Sequence, residues 1–274
     1  MTFLLSLFLH RMATWKKAIW YLQHRLKARS HGDAPFVKSL VKQVLPHRSS
    51  DAGKQIARIH AYLKQDLSVL TYEDLGAGQA NRGEGTTTRV VADLARISSR
   101  GRKEGEFLHR LCGFLAPKTC LELGTHLGIS TLYQASAVPQ SRFVSIEGAA
   151  PVAAVAKQTL GKFSPALHID LRIGDFDQVL DALWQEGFSP DYVLVDGNHR
   201  YEPTIRYAKA LISHMPSGSC ILFDDIYWSE EMKRAWEDII RWPEVSLSID
   251  LYHLGLIFIH QDAPKAHVVL KSGW

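Results

Sequence analysis

Between residues 119 and 224, short apolar runs alternate with segments of helical periodicity, and this alternation constrains the fold more than any other feature of the chain. Apolar strands joined by helices form parallel sheets that are covered by helices on both faces. We therefore predict an α/β fold with a doubly wound, mostly parallel sheet. The predicted strands are 119–123, 142–147, 168–173, 191–196 and 218–224, and the predicted helices are 104–115, 129–137, 150–160, 177–186, 203–214 and 229–241.

Two further β-rich runs, SLSIDL and LGLIFIH, follow the last of these helices. They flank a short turn at Tyr252 and His253, so we predict that they form an antiparallel pair. This pair completes a seven-stranded sheet.

The N-terminal part of the chain has a different composition. Residues 1–50 contain nine Lys or Arg and one acid. Helices are predicted at 12–28, 35–45 and 51–66. We interpret 1–70 as a basic helical extension, 71–103 as a Gly-rich linker or lid, and 104–274 as the main domain.

The basic residues of the extension alternate with aromatic residues such as Trp15, Trp20 and Tyr21. One interpretation is a helix that makes peripheral contact with an anionic membrane surface. The other is a helix docked on its own domain with a solvated basic face. Nucleic acid is not expected as a partner, because the charge is confined to one terminal arm and no nucleic-acid-binding motif accompanies it.

The segment YEDLGAGQANRGEGTTTR, residues 72–89, is polar and rich in glycine. It is either a plain linker or a flap over a site. The apolar run Phe3 to Leu9 is too short for a signal peptide or a membrane span. Three separated cysteines without a C-x-x-C pair indicate a reduced compartment, so we expect a cytoplasmic protein, with the inner membrane surface as the alternative place of contact.

Ligands of open parallel sheets bind at the carboxyl ends of the strands, and polar residues stand at those ends here. The first strand leads into LELGTHLGIST, where Gly124 and Gly128 permit close approach of a ligand to the backbone. The loop lacks the G-x-G-x-x-G spacing that admits a pyrophosphate, which argues against a dinucleotide.

The next two strands end in acids. Glu147 is placed to accept hydrogen bonds from both hydroxyls of a ribose, and Asp175 in GDF is available to an adenine amine or ring nitrogen. A loop for a small polar head group, an acid for a ribose and a polar turn for an adenine together indicate a nucleoside ligand without a diphosphate.

With these motifs the sequence resembles the class I S-adenosylmethionine-dependent methyltransferases over roughly residues 104–260. ELGTHLGIST is similar to the first motif of that family, SIEG to its ribose-binding motif and GDF to its adenine-side turn. The resemblance implies S-adenosylmethionine as the cofactor.

The resemblance also implies a set of cofactor-binding residues. The alternative for Ser130 and Thr131 is ordinary hydrogen bonding at a helix start, and for Glu147 it is a solvated strand end. The implied set is Glu122, Gly124, Gly128, Ser130 and Thr131 around the methionine portion, Glu147 and Gly148 at the ribose, and Asp175 and Phe176 at the adenine.

Three aspartates follow the fourth and fifth predicted strands, which are neighbours in the doubly wound order. Asp196 ends VLVD, and Asp224 and Asp225 end ILFDD. Carboxylates that converge repel one another unless a cation compensates their charge, and hard oxygen ligands suit Mg²⁺. We therefore predict a site for Mg²⁺ or another divalent cation.

This triplet resembles that of the metal-dependent O-methyltransferases, and it is closer to the sugar-modifying type than to the catechol type, which usually has Asn in place of Asp225. His199 stands where the catechol type has a basic catalytic residue, so the resemblance makes His199 and Asp196 the candidate catalytic residues. An imidazole can take a hydroxyl proton near neutral pH. The alternatives are that Asp196 contacts the cofactor amine or a loop N–H, that Asp225 ends its strand, and that His199 starts a helix.

The leading hypothesis is therefore Mg²⁺-assisted methyl transfer from S-adenosylmethionine to a hydroxyl of a small-molecule or sugar-like acceptor. One alternative is a metal-independent N- or carboxyl-methyltransferase. The other is a non-catalytic, nucleoside-binding scaffold.

Overall fold

The computed structural model describes residues 2–28, 34–73, 86–97, 101–259 and 264–271, with side chains described from residue 15 onward. Its helices are α1 (Thr2–Lys27), α2 (Pro35–Gln43), α3 (Asp51–Leu63), α4 (Val91–Ile97), α5 (Arg102–Leu115), α6 (Ile129–Ala137), α7 (Ala150–Gly161), α8 (Phe176–Gln185), α9 (Tyr201–His214) and α10 (Glu230–Ile239). Its strands are β1 (Val69–Glu73), β2 (Thr86–Val90), β3 (Thr119–Leu123), β4 (Arg142–Glu147), β5 (Ile169–Ile173), β6 (Tyr192–Val195), β7 (Cys220–Asp224), β8 (Val245–Asp250), β9 (Leu254–Ile259) and β10 (Ala266–Val269).

The main sheet has the order β5-β4-β3-β6-β7-β9-β8-β10. Strands β3 to β7 pair in parallel, and β9 pairs antiparallel with both β7 and β8. The predicted doubly wound α/β sheet with its antiparallel terminal pair is therefore confirmed. The order reverses beside β3, which creates the crevice where ligands of such sheets bind.

An eighth strand, β10, extends the edge of the sheet beyond the seven predicted strands. It pairs in parallel with β8 over four residues and is partly exposed. A short, half-exposed edge strand carries little hydrophobic pattern, and the sequence analysis therefore did not find it.

The central strands are buried on both faces, as their continuous apolar runs predict. Leu121, Val193 and Ile221 belong to a cluster on one face of the sheet, under α8, α9 and α10. Leu194 and Leu222 belong to a cluster on the other face, which α5 and α6 cover.

Helices α2 and α3 share this second cluster with the main domain. Leu40 and Ile56 are fully buried and belong to the same cluster as Leu108 of α5. The Glu106 carboxylate, buried on α5, accepts hydrogen bonds from the backbone N–H and the hydroxyl of Ser50, the residue that caps α3. The extension is thus packed against the domain; the division at residue 70 stays a prediction.

The described side chains of α1 also dock on the domain. His24 and Asp250 are both 3% exposed and form an ion pair with Nε2 and Oδ1 3.2 Å apart. The Asp250 carboxylate also accepts hydrogen bonds from the Tyr227 hydroxyl and the Tyr252 N–H, both at 2.8 Å. Burial by itself would raise the pKa of Asp250, but these hydrogen bonds and the His24 ring outweigh it and hold that pKa below its ordinary value.

Both ends of the polar segment 72–89 belong to paired strands. β1 and β2 form an antiparallel pair from Val69 opposite Val90 to Glu73 opposite Thr86, while residues 74–85 fall outside the described part. The β-branched run TTTR supports a strand, but its polarity led the sequence analysis to predict a linker or flap without strands. In the described part of the chain, no helix combines the length and the apolar character needed to cross a membrane.

Candidate functional site

A cavity of about 290 Å³ opens at the carboxyl edge of the sheet, beside the point where the strand order reverses. The loops that follow β3, β4, β5 and β6 supply most of its wall, and the β1–β2 pair, α4, α7 and α9 complete it. The lining residues are Tyr72, Arg89, Leu94, Gly124, His126, Glu147, Gly148, Ala149, Val152, Gly174, Asp175, Phe176, Asp196, Gly197, Asn198 and Tyr207.

The cavity depends on a close approach of two loops. Gly124 has φ +105°, and a Cβ on this residue would lie 2.1 Å from the carbonyl oxygen of Asp196. No side chain fits there, so glycine lets the loop after β3 contact the loop after β6. A Cβ on Gly197 would lie 2.8 Å from the Phe176 ring. Phe176 follows the loop after β5, so this loop reaches the same point.

Four non-glycine residues at this edge adopt left-handed backbone conformations. They are His126 at φ +50°, Asn198 at φ +52°, Asp225 at φ +54° and Tyr252, in the turn between β8 and β9, at φ +74°. Such conformations are uncommon for residues with a side chain, and they concentrate at functional sites when the surrounding structure maintains them.

Glu147 presents its carboxylate to the cavity from the end of β4. Its Oε2 accepts a hydrogen bond from the His126 N–H at 2.8 Å, and its Oε1 accepts one from the Ala149 N–H at 3.0 Å. These two backbone donors orient the carboxylate. A carboxylate has about four acceptor positions, and this one lines the cavity.

Asp175 caps α8, because its Oδ1 accepts hydrogen bonds from the N–H groups of Asp177 and Gln178. The next residue, Phe176, lies edge-on to Tyr207 with ring centroids 5.7 Å apart. Both rings line the cavity, and burial raises the pKa of Tyr207, which keeps its hydroxyl protonated. One side of the cavity is thus aromatic, with a carboxylate beside it.

Glu122, predicted to hold the methionine portion of a cofactor, does not line the cavity. It is fully buried on β3 and accepts hydrogen bonds from Ser145 Oγ at 2.6 Å and Gln134 Nε2 at 2.8 Å. Thr131 Oγ1 donates a third hydrogen bond. The carboxylate therefore ties β3 to β4 and α6 inside the protein.

Burial raises the pKa of Glu122, and the hydrogen bonds from Ser145, Thr131, Ser130 and Gln134 lower it only in part. Ser130 and Thr131 are buried on α6 and do not line the cavity either. Gly128, at φ +82°, precedes α6 as its N-cap and is likewise absent from the lining. Ser130 and Thr131 hydrogen-bond to the Glu122 carboxylate, and no side chain caps the start of α6. A role of these residues in cofactor binding stays a prediction.

Asp196 and His199 follow β6. The distance from His199 Nε2 to Asp196 Oδ1 is 3.8 Å, and both side chains are 22% exposed. Asp196 lines the cavity, whereas His199 lies outside its lining. The two residues are near enough to each other for one ligand to contact both.

Asp224 ends β7, and the last parallel pair of β6 and β7 is Val195 opposite Phe223, so Asp196 and Asp224 follow neighbouring positions. Asp225 begins the next turn, in which its carbonyl accepts a hydrogen bond from the Trp228 N–H. Among the residues described, no three or more His, Cys, Asp or Glu form a group suited to a metal ion. The three aspartates stand at the predicted edge of the sheet, but among the described residues they do not form a three-carboxylate group for a metal.

The sequence analysis missed several cavity residues. Tyr72 and Arg89 belong to the β1–β2 pair, Leu94 to α4 and Tyr207 to α9. No motif marks them, because they reach the cavity through tertiary packing. His126 stands inside the predicted glycine loop, and its place beside two glycines was a signal that could have been used.

The strand order and the position of the cavity together place this protein in the class of Rossmann-like methyltransferase folds. A family model described as O-methyltransferase matches residues 85–242, more than half of the chain. The chain belongs to this O-methyltransferase family.

Individual relatives match a smaller part of the chain. A catechol O-methyltransferase from Niastella koreensis is 29% identical over 143 residues, which are 52% of this chain and 63% of that protein. A transmembrane O-methyltransferase homolog from Rattus norvegicus is 33% identical over 135 residues, 47% of this chain and 52% of its own length. The chain thus spans between about half and 63% of the length of these two curated relatives.

The likeness to solved structures covers more of the chain than the sequence matches do. The O-methyltransferase from Bacillus cereus, solved in complex with SAH, superposes with a TM-score of 0.55 at 16% identity. The superposition covers 81% of this chain and 96% of that one.

The buried Glu122 makes stability depend on pH. Because the fold raises its pKa, stability from the protonated carboxyl is present below the unfolded pKa of about 4.3 and is lost as pH rises through the folded pKa. Glu122→Gln does not titrate, so we expect the free energy of unfolding of this variant, relative to wild type, to increase from pH 4.5 to pH 8. Urea unfolding at several pH values measures it.

Glu202→Gln is the control, because Glu202 is an exposed carboxylate on α9. We expect its pH profile to follow that of the wild type. A Glu122→Gln profile parallel to wild type over the same range would contradict the assigned burial effect.

Proposed function

We propose that this protein is an S-adenosylmethionine-dependent O-methyltransferase acting on a hydroxyl of a small molecule. The observation that carries the proposal is the cavity at the reversal of strand order, with the Glu147 carboxylate at the end of β4 and the Asp175–Phe176 turn after β5. Membership in the O-methyltransferase family supports the same reaction.

The cavity residues suit the nucleoside of S-adenosylmethionine. Glu147, held by two backbone donors, would accept hydrogen bonds from the ribose hydroxyls. Gly148 follows it and leaves room for the sugar, and Phe176 would pack against the adenine with Asp175 near its polar edge. Gly124 would allow the methionine portion to approach the backbone. The SAH complex of the Bacillus cereus protein, which has the same fold, supports this type of ligand.

Methyl transfer requires that the acceptor oxygen attack the sulfonium methyl while the carbon–sulfur bond breaks. S-adenosylmethionine then leaves as S-adenosylhomocysteine, and the hydroxyl proton needs an acceptor. We assign proton removal to His199, whose ring lies 3.8 Å from the Asp196 carboxylate. Asp196, which also lines the cavity, places its carboxylate beside this ring.

The name of the Niastella koreensis relative supports a catechol-like hydroxyl as an acceptor, and sugar-like hydroxyls remain within the proposal. The aromatic residues Tyr227 and Trp228 follow Asp225 directly. They stand at the same edge of the sheet as His199, where an acceptor would enter.

We also propose that Mg²⁺ assists the methyl transfer. Mg²⁺ usually binds one or two protein carboxylates and completes its octahedron with water and substrate oxygens, so it does not need a three-carboxylate group. Asp196 and Asp224, after neighbouring strands, supply hard oxygen donors of this kind, and Asp225 is next in the chain. A bound Mg²⁺ would lower the pKa of the acceptor hydroxyl.

Removal of the Glu147 carboxylate should weaken nucleoside binding. We expect Glu147→Ala to raise the Kd for S-adenosylhomocysteine about 10- to 100-fold, because a hydrogen-bonded charged acceptor typically contributes about 1.5–3 kcal/mol. Isothermal titration calorimetry measures this. Asp181→Ala, an exposed carboxylate on α8 outside the cavity, should bind like wild type. Wild-type protein that does not bind S-adenosylhomocysteine would disprove the proposed function.

Magnesium binding can be measured without knowing the acceptor. With S-adenosylhomocysteine present, we expect Mg²⁺ to raise the melting temperature by about 2–4 °C per kcal/mol of added binding free energy. Asp224→Ala should abolish this rise, while Asp181→Ala should retain it. A rise that survives Asp224→Ala would remove the aspartates from the proposal, and no rise in the wild type would leave a metal-independent methyltransferase.

A further inference from the structure

Helix α1 exposes a stripe of large apolar side chains. Trp15 is 71% exposed, Ile19 49%, Leu22 60% and Leu26 87%. Their spacing of four, three and four residues places them on one face of the helix. We call these four residues the α1 stripe.

The stripe faces away from the domain. At about 100° per residue, it lies on the side of α1 opposite to His24 and Trp20. His24 is the buried partner of Asp250, and the Trp20 ring centroid is 6.2 Å from that of Tyr227. One face of α1 is thus occupied by the domain, and the other presents apolar side chains to the outside.

Several contacts hold the opposite face of α1 against the domain. The stripe therefore lies on a helix whose position on the domain is fixed. Tyr252 OH donates a hydrogen bond to the carbonyl of Lys17, and Lys17 Nζ lies 3.9 Å from the centroid of the Trp228 ring. Lys16 pairs with Glu230 at 2.9 Å. The aromatic rings of Tyr21 and Tyr252 meet edge to face at 5.1 Å.

Basic residues flank the stripe. The helix from Trp15 to Lys27 carries Lys16, Lys17, Arg25 and Lys27 and has no acidic residue. Lys27 lies along one side of the stripe and Arg25 along the other, whereas Lys16 is paired with Glu230 of the domain. An apolar stripe between cationic flanks matches the boundary of an anionic bilayer, where side chains enter the acyl region and cations meet the head groups.

The charges around the stripe favour a membrane over a second copy of this chain as the partner of this surface. The four-three-four spacing resembles a coiled-coil seam, whose flanking positions need complementary charges for self-pairing. Here two copies would bring Arg25 and Lys27 toward further cations, and residues 15–27 contain no acid to pair with them. Self-association through this face is therefore disfavoured.

We propose that the α1 stripe, with its basic flanks, is a peripheral docking surface for an anionic lipid membrane. Trp15, Ile19, Leu22 and Leu26 insert into the interface, and the face with Trp20 and His24 keeps the domain attached. This surface lies outside the residues matched by the family model and is independent of the cofactor cavity.

Sedimentation of the full chain with vesicles tests the proposal. We expect binding to vesicles of phosphatidylglycerol and phosphatidylcholine, and at least tenfold weaker binding to phosphatidylcholine alone or at high salt. The double variant Leu22→Glu/Leu26→Glu should reduce binding to the anionic vesicles at least tenfold. Both residues are exposed and lie away from the docked face, so its melting temperature should match wild type.

The matched control is Leu67→Glu/Ile97→Glu, which changes two other exposed apolar residues, 78% and 83% exposed. It adds the same charge and should bind vesicles like wild type. Equal loss of binding in both double variants would show a general charge effect and overturn the proposal. So would absence of vesicle binding together with a dimer, measured by light scattering, that Leu22→Glu/Leu26→Glu dissociates.

Discussion

The close approach of Gly124 to the Asp196 carbonyl is the constraint on which the site depends. A Cβ at Gly124 would lie 2.1 Å from that oxygen, so the loops after β3 and β6 can meet only through a glycine. This contact sets the floor of the cavity and places Asp196 beside it. The carboxylate of Glu147 and the ring of Phe176 then complete the wall from the neighbouring strands.

A second, buried constraint supports the first. Glu122 is a carboxylate inside the core, and its three side-chain hydrogen bonds connect β3 with β4 and α6. Buried carboxylates are tolerated only with such partners. The network aligns the two strands whose ends carry Gly124 and Glu147, so a buried acid helps to position the site from inside the core.

Most of the fold follows from local pattern, because apolar strands and amphipathic helices alternate clearly. The predicted bounds of β3, β4 and α6 agree with the structure to the residue. Glu147, Asp175 and Asp196 were found at the cavity since strand ends share one edge. The hydrogen bond of Glu122 to Ser145, which comes from another strand, has no local signal in the sequence, and its role toward a cofactor stays a prediction. Tyr72 and Arg89 were missed because only tertiary packing brings them to the cavity.

We propose that the cavity beside Gly124 holds the nucleoside of the methyl donor. A crystal structure of the protein with S-adenosylhomocysteine tests this directly. We expect the ribose hydroxyls within hydrogen-bonding distance of the Glu147 carboxylate and the adenine against Phe176. A nucleoside bound elsewhere, or one that makes no contact with Glu147, would contradict it.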